Sequence, residues 1–237
     1  MRNSAAPKSA GQGPQFRAAS DQSLLVSLGQ EITHENHQRV VKLLHLLQAD
    51  PIEGIRNLHP AYCSVLIKFD PLRLDHDKLQ ATLIPYLARL EEALLPEPKE
   101  VEIPVCYGGE FGPDLNDVAA MHGLTPAQAI GLHSSATYIV YFLGFAPGFG
   151  YLGGLPDELT CPRLETPRAK VPQGSVGIGG NQTAVYPFAT PGGWRLIGRT
   201  PVAMFRRDSE PMSLLQIGDH LRFRAISEKE FAEFGRK

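Results

Sequence analysis

Residues 166–183 read T-P-R-A-K-V-P-Q-G-S-V-G-I-G-G-N-Q-T. Apolar residues show no helical spacing here, so the stretch reads as short strands broken by Gly/Pro corners. Twelve of the chain's 23 glycines lie between Gly144 and Gly198. Glycine loses the most backbone entropy on folding, so such a density needs a geometric reason. The pattern continues on both sides, with strand-like runs at 137–143, 176–178, 183–187, 194–198, 202–205 and 221–225. Many short strands separated by such turns predict a β-barrel or sandwich for the second half.

The same stretch has a one-signed charge. From Thr166 to Arg207 there is no Asp or Glu, and the charged residues are Arg168, Lys170, Arg195, Arg199, Arg206 and Arg207. A solvated surface would mix both signs, whereas a cationic, glycine-rich run suits an anion. Arg195 and Arg199 are four apart in a predicted strand and are expected on one face, where with Lys170 and Arg168 they would clamp a carboxylate or phosphate. Backbone amides at Gly174, Gly177, Gly179 and Gly180 would line an anion nest. The alternative for these glycines is a set of barrel corners that admit no side chain. Lys170, Gln173, Ser175, Gln182 and Thr183 are the candidate catalytic residues; Arg168, the four glycines, Arg195 and Arg199 are the candidate substrate-binding residues. The dinucleotide fingerprint fails, because Gln182 stands where its third glycine would be, and no phosphate-loop motif occurs.

The first half is built differently. A strand at 23–28 is followed by a helix capped by Thr33 and carrying Val40, Leu43, Leu44 and Leu47. Strands at 55–58 and 62–69 precede a helix with Leu79, Leu83, Tyr86, Leu87, Leu90 and Leu94, in which Pro85 should force a kink or break. A strand at 101–106 completes a β-α-β-β-α-β order, the split-βαβ arrangement. The expected organisation is therefore α+β: a disordered arm over 1–20, an α/β domain over 21–97 and a β-barrel domain over 98–237. Two short helices open the second domain, one capped by Asp114 and one by a Thr125–Gln128 capping box with Pro126 at its first position. His122 and His133 at their ends read as C-terminal caps.

Composition narrows the function. A net charge of −2 carries no footprint of nucleic-acid binding. No run is long and apolar enough to span a membrane, and the first 20 residues lack the apolar core of a secretory signal. Cys63, Cys106 and Cys161 are odd in number and far apart, as expected of reduced thiols in the cytoplasm. His34 and His37 lack companion ligands, so no metal site is expected. Phe145, Phe149 and Tyr151, set among glycines, would wall a pocket or face a partner.

Three runs carry a resemblance: G-F-A-P-G-F-G-Y-L at 144–152, the stretch at 166–183, and P-G-G-W-R-L-I-G-R-T-P at 191–201. In that order they resemble the allophanate-hydrolase-subunit-1 and kinase-inhibitor family, over roughly residues 15–230. The resemblance implies a small N-terminal α/β domain and a cyclophilin-like barrel. It also implies a C-type sister subunit with a related barrel and a third, A-type subunit of different fold. With ATP, such an assembly opens 5-oxoproline to glutamate, and a single subunit is expected to be inactive alone. The subunit holding ATP is left open, and no biotin-acceptor pattern occurs in this chain. Other members imply two alternatives: a carboxyltransferase-type subunit of a urea carboxylase or allophanate hydrolase system, and an inhibitor of a sensor histidine kinase.

Overall fold

A computed structural model describes residues 13–234. The chain divides after Pro96 into two compact units. The first contains β1 (Gln15–Ser20), β2 (Ser23–Ser27), α1 (His34–Ala49), β3 (Ile55–Pro60), β4 (Ser64–Phe69) and α2 (His76–Ala88). Its four strands form an antiparallel sheet in the order β1-β2-β4-β3. Alternation buries Leu24 and Val26 on β2, and Val65, Ile67 and Phe69 on β4. Val40, Leu43, Leu44 and Leu47 form the buried side of α1, while Leu79, Leu83 and Tyr86 do so on α2. Thr33 caps α1 as expected, its hydroxyl accepting from the Asn36 amide at 3.1 Å.

Two expectations for this unit change. Residues 15–20, assigned from composition to a disordered arm, form β1 and pair with β2; the arm's residues 1–12 lie outside the described part. The strand at 101–106 belongs to the barrel, and β1 takes the place beside β2 that a split βαβ gives its last strand. A strand edge can be completed from either direction along the chain, and local sequence does not say which. Helix α2 runs through Pro85 and ends at Ala88, leaving Leu90 and Leu94 outside it.

The second unit comprises β5 (Glu100–Tyr107), α3 (Leu115–Met121), α4 (Pro126–Ser135), β6 (Tyr138–Leu143), β7 (Gly150–Gly153), β8 (Arg168–Val171), β9 (Ser175–Gly179), β10 (Gln182–Val185), β11 (Thr190–Gly192), β12 (Arg195–Arg199), β13 (His220–Ile226) and α5 (Glu228–Phe234). Seven strands close a barrel in the order β10-β7-β6-β13-β5-β12-β9, while β8 and β11 form a separate two-stranded ribbon. Closure removes the open edges that make isolated β-sheets prone to association. Val101, Ile103, Val105, Tyr138, Val140, Leu152, Val176, Ile178, Val185, Ile197, Leu221 and Phe223 belong to its core. The run 202–205 is not a strand; only Phe205 makes a bridge, to Ser213. Among the described residues, no helix is long and apolar enough to cross a membrane.

His133 is not a helix cap. It is fully buried, with Nδ1 2.8 Å from the Tyr107 hydroxyl and Nε2 3.0 Å from Thr183 Oγ1. The Thr183 hydroxyl donates to the Gly177 carbonyl at 3.1 Å. Thr183 therefore accepts from Nε2–H, which leaves Nδ1 to accept from Tyr107. Burial pushes the imidazole pKa down from 6.5 to about 3, so the ring is neutral. His122 does stand at the end of α3, but its Nε2 bonds the Thr160 carbonyl at 2.7 Å.

Candidate functional site

Opposite residues of an antiparallel ladder project to the same side. On the outside of the barrel this places Gln182, Ala184 and Tyr186 of the β10 segment beside Gly179, Gly177 and Ser175 of β9. Leu196 and Arg199 of β12 flank the other side of that middle row, with Trp194 just ahead of them. The middle row is a trough of small residues, and Trp194 lies in it. A Cβ on Gly179 would stand 2.7 Å from the indole, and one on Gly177 would stand 3.2 Å from Trp194 Cβ. Gly179→Ala is expected to destabilise this unit by about 1–3 kcal/mol through overpacking. Urea unfolding followed by the fluorescence of Trp194, the chain's single tryptophan, measures it.

Aromatic rings extend from the trough. Phe149 lies 5.8 Å and Tyr151 6.2 Å from Trp194, and Phe149 lies 5.4 Å from Tyr186. Phe145 meets Phe149 edge-on at 5.2 Å and is nonetheless 62% exposed. Its φ of 64° lies in the left-handed region, which costs a bulky residue about 1–2 kcal/mol. Residues 143–148 and Ser213 line an open groove of about 350 Å³ beside it.

The expected cationic clamp does not assemble. Residue Ile197 is an extra residue in β12, so the register shifts between Leu196 and Gly198. Arg195 stands opposite Ile178 and Arg199 opposite Ser175, which puts the two arginines on opposite faces of the strand. Arg195 Nε donates to the Pro162 carbonyl at 3.1 Å. Arg168 is ion-paired with the buried carboxylate of Asp114 at 2.7 Å. Lys170 lies exposed on β8, next to the buried Val171. Gln173 lies in the turn before β9. Thr183 points into the barrel core, committed to His133 and Gly177. Gln182 remains on the outer face, opposite Gly179.

Nor do the glycine amides form a nest. The Gly174 amide donates to Tyr186 and the Gly180 amide to Cys161, while Gly177 pairs with Ala184 of β10 and Leu196 of β12, and Gly179 with Gln182 of β10. Gly174 has a φ of 78° and packs so closely that a Cβ would reach 2.3 Å from the Thr200 carbonyl oxygen. These residues are corners and close contacts. They offer no cradle for nucleotide phosphates, so ATP is not assigned to them.

Asp114, expected as a helix cap, makes no cap bond. Its second oxygen accepts from the Leu196 amide at 2.6 Å. The acid that answers the acid-free run thus comes from 54 residues upstream of Arg168, too far for local sequence to reveal. Sequence reasoning also passes over Arg163, whose guanidinium carbon stands 5.7 Å over the Trp194 ring; the nearby Glu165 masks it as ordinary surface. Tyr186 is buried, which raises its pKa, while the Trp194 amide and the charges of Arg163 and Arg168 pull it down. The outer face therefore joins an apolar aromatic floor to Arg163 at one end and Arg199 at the other. That combination suits a small ring bearing a negative charge.

The family model of the carboxyltransferase domain, subdomain C and D, matches residues 14–215. The chain belongs to this family. All three sequence runs that carried the resemblance lie inside the carboxyltransferase-domain match. The B-type subunit of 5-oxoprolinase from Bacillus subtilis (strain 168) is 40% identical over 227 residues, covering 92% of this chain and 95% of the relative. The corresponding B-type subunit from Escherichia coli O157:H7 is 56% identical over 139 residues, 59% of this chain and 63% of the relative. The crystal structure of TTHA0988 superposes with a TM-score of 0.76 at 33% identity, covering 88% of this chain but 40% of that one. This carboxyltransferase-domain fold is thus also carried within a much longer chain.

Proposed function

We propose that this chain is the B-type subunit of an ATP-dependent 5-oxoprolinase, a cytoplasmic hydrolase component that helps convert 5-oxo-L-proline to L-glutamate. The observation that carries this reading is the 40% identity over nearly the whole length of the Bacillus subtilis relative. The outer face supports it: 5-oxoproline is a flat five-membered lactam with one carboxylate, and the face pairs aromatic rings with two arginines. A lactam carbonyl resists water, and ATP supplies the phosphoryl group that activates its oxygen. This chain's share is to seat the ring against the exposed Phe145, to hold the carboxylate and to exclude water. A sister barrel subunit and a third subunit of different fold complete the assembly, and the chain alone is inactive.

Reconstitution tests this directly. The three purified subunits together are expected to release glutamate from 5-oxoproline only when ATP is present, and omission of this chain to abolish release. No glutamate from the full mixture sinks the reading. Phe145 gives a second test. Phe145→Gly removes left-handed strain and a partly exposed ring together, so stability should change by less than about 1 kcal/mol. The same variant is expected to lower turnover of the assembled enzyme roughly tenfold, or about 1.4 kcal/mol in barrier, because a strained exposed aromatic is retained for contact. Unchanged turnover removes Phe145 from the site.

A further inference from the structure

The outer face carries two buried polar atoms that the architecture does not satisfy. Ser175 is 0% exposed, and among the described residues its hydroxyl has no hydrogen-bond partner. The same holds for the buried Nε of Arg199. The two residues stand directly opposite across the β9–β12 ladder, so their Cβ atoms are about 5 Å apart on one face. Arg199 is held there. Its guanidinium carbon lies 5.7 Å over the Phe111 ring, and its stem passes where a Cβ on Gly174 would come within 3.4 Å of Cγ. Arg199 forms no ion pair among the described residues; Glu110 and Glu228 act on the neighbouring Cys106 thiol without closing one.

Buried polar groups in folded proteins are almost always hydrogen-bonded, and an exception asks for a missing partner. Arginine Nε–H can only donate, and a serine hydroxyl can donate. Two unpartnered donors on facing residues, one of them on a cation, call for an anionic oxygen. We propose that Arg199 and Ser175 form the carboxylate subsite of this chain, in which Arg199 Nε–H and Ser175 O–H donate to the carboxylate of a small cyclic acid. The inference rests on the 5-oxoprolinase reading for the identity of that acid. The bulge at Ile197 has a use in this arrangement: were all five residues of β12 paired regularly, Arg199 would share the face of Arg195, away from Ser175.

The assembled complex is compared with 5-oxoproline and with its neutral carboxamide as substrates, using Arg199→Gln and Ser175→Ala. The ratio of kcat/KM for acid over amide is expected to collapse at least ~50-fold in Arg199→Gln and about tenfold in Ser175→Ala. A merely structural role would lower both substrates together and leave the ratio unchanged, which overturns the proposal. Calorimetric titration of 5-oxoproline and of glutarate into the full chain separates the two readings. If the complex fails to open 5-oxoproline, the functional reading falls; loss of glutarate binding in Arg199→Gln still upholds the subsite. Equal affinity in wild type and Arg199→Gln, or no carboxylate binding by the wild type, sinks it.

Discussion

Asp114→Ala is expected to destabilise the barrel unit by about 4 kcal/mol, because it removes the single acid that serves both a half-buried guanidinium and a buried amide. Asp114 is 6% exposed, pairs with Arg168 at 2.7 Å and accepts the Leu196 amide at 2.6 Å. Removing it leaves a guanidinium that is only 28% exposed without a counter-charge and an amide without an acceptor. For a unit of this size the loss corresponds to a fall in Tm of roughly 10–15 °C. Asp114→Asn retains an oxygen for the Leu196 amide and should lose about half as much. A double variant, Asp114→Ala with Arg168→Met, should recover part of the deficit, since replacing both members of a buried pair costs less than removing one. Thermal unfolding followed at Trp194 reads all three. A loss under about 1 kcal/mol for Asp114→Ala would show that the pair is solvated and does not hold β8 to β12.

The same residue shows why part of this molecule is legible in sequence and part is not. Short strands and Gly/Pro corners are local, and β6, β9, β10, β12 and β13 are all readable from composition and turn residues. The caps at Thr33 and Thr125 are readable because each is a bond within four residues. Charge pairing is not local. The run from Thr166 to Arg207 reads as an unbalanced cationic clamp, but Asp114 already neutralises Arg168 from a distant loop. Nor is the face of each arginine legible. Alternation puts Arg195 and Arg199 together in a regular strand, and one unpaired residue, Ile197, reverses that outcome.

The glycines divide in the same way. Their density is a geometric signal, but two geometries fit it, amide nests and close packing. Sequence leaves both open. The structure decides for packing, because Trp194 occupies the trough over Gly177 and Gly179, and both glycines stand in the barrel ladder. Trp194 is 5% exposed, an anchor for the floor of the site. Of the sequence-derived candidate residues, Ser175, Gln182 and Arg199 share the outer face with the aromatic rings and Arg163.

His133 accounts for the largest pH effect expected of this chain. At neutral pH His133→Ala should cost about 4 kcal/mol, since it removes a ring stacked 4.5 Å from Phe223 and leaves the Tyr107 hydroxyl without its acceptor. The folded pKa of about 3 lies below the unfolded value of 6.5. Between those limits the unfolded chain binds a proton that the folded chain does not. Stability from this group is therefore constant above about pH 6.5 and falls as the pH drops toward 3, at up to about 1.4 kcal/mol per pH unit. By pH 5 the wild type should have lost roughly 2 kcal/mol through His133 alone. The alanine variant has no such group, so the gap between the two proteins should shrink from about 4 to about 2 kcal/mol between about pH 7 and pH 5. Other acids titrate alike in both proteins and cancel in the difference. Urea unfolding across that pH range measures the gap. A constant gap would mean that the imidazole takes up its proton inside the barrel, which a neutral Tyr107–His133–Thr183 chain of hydrogen bonds does not permit.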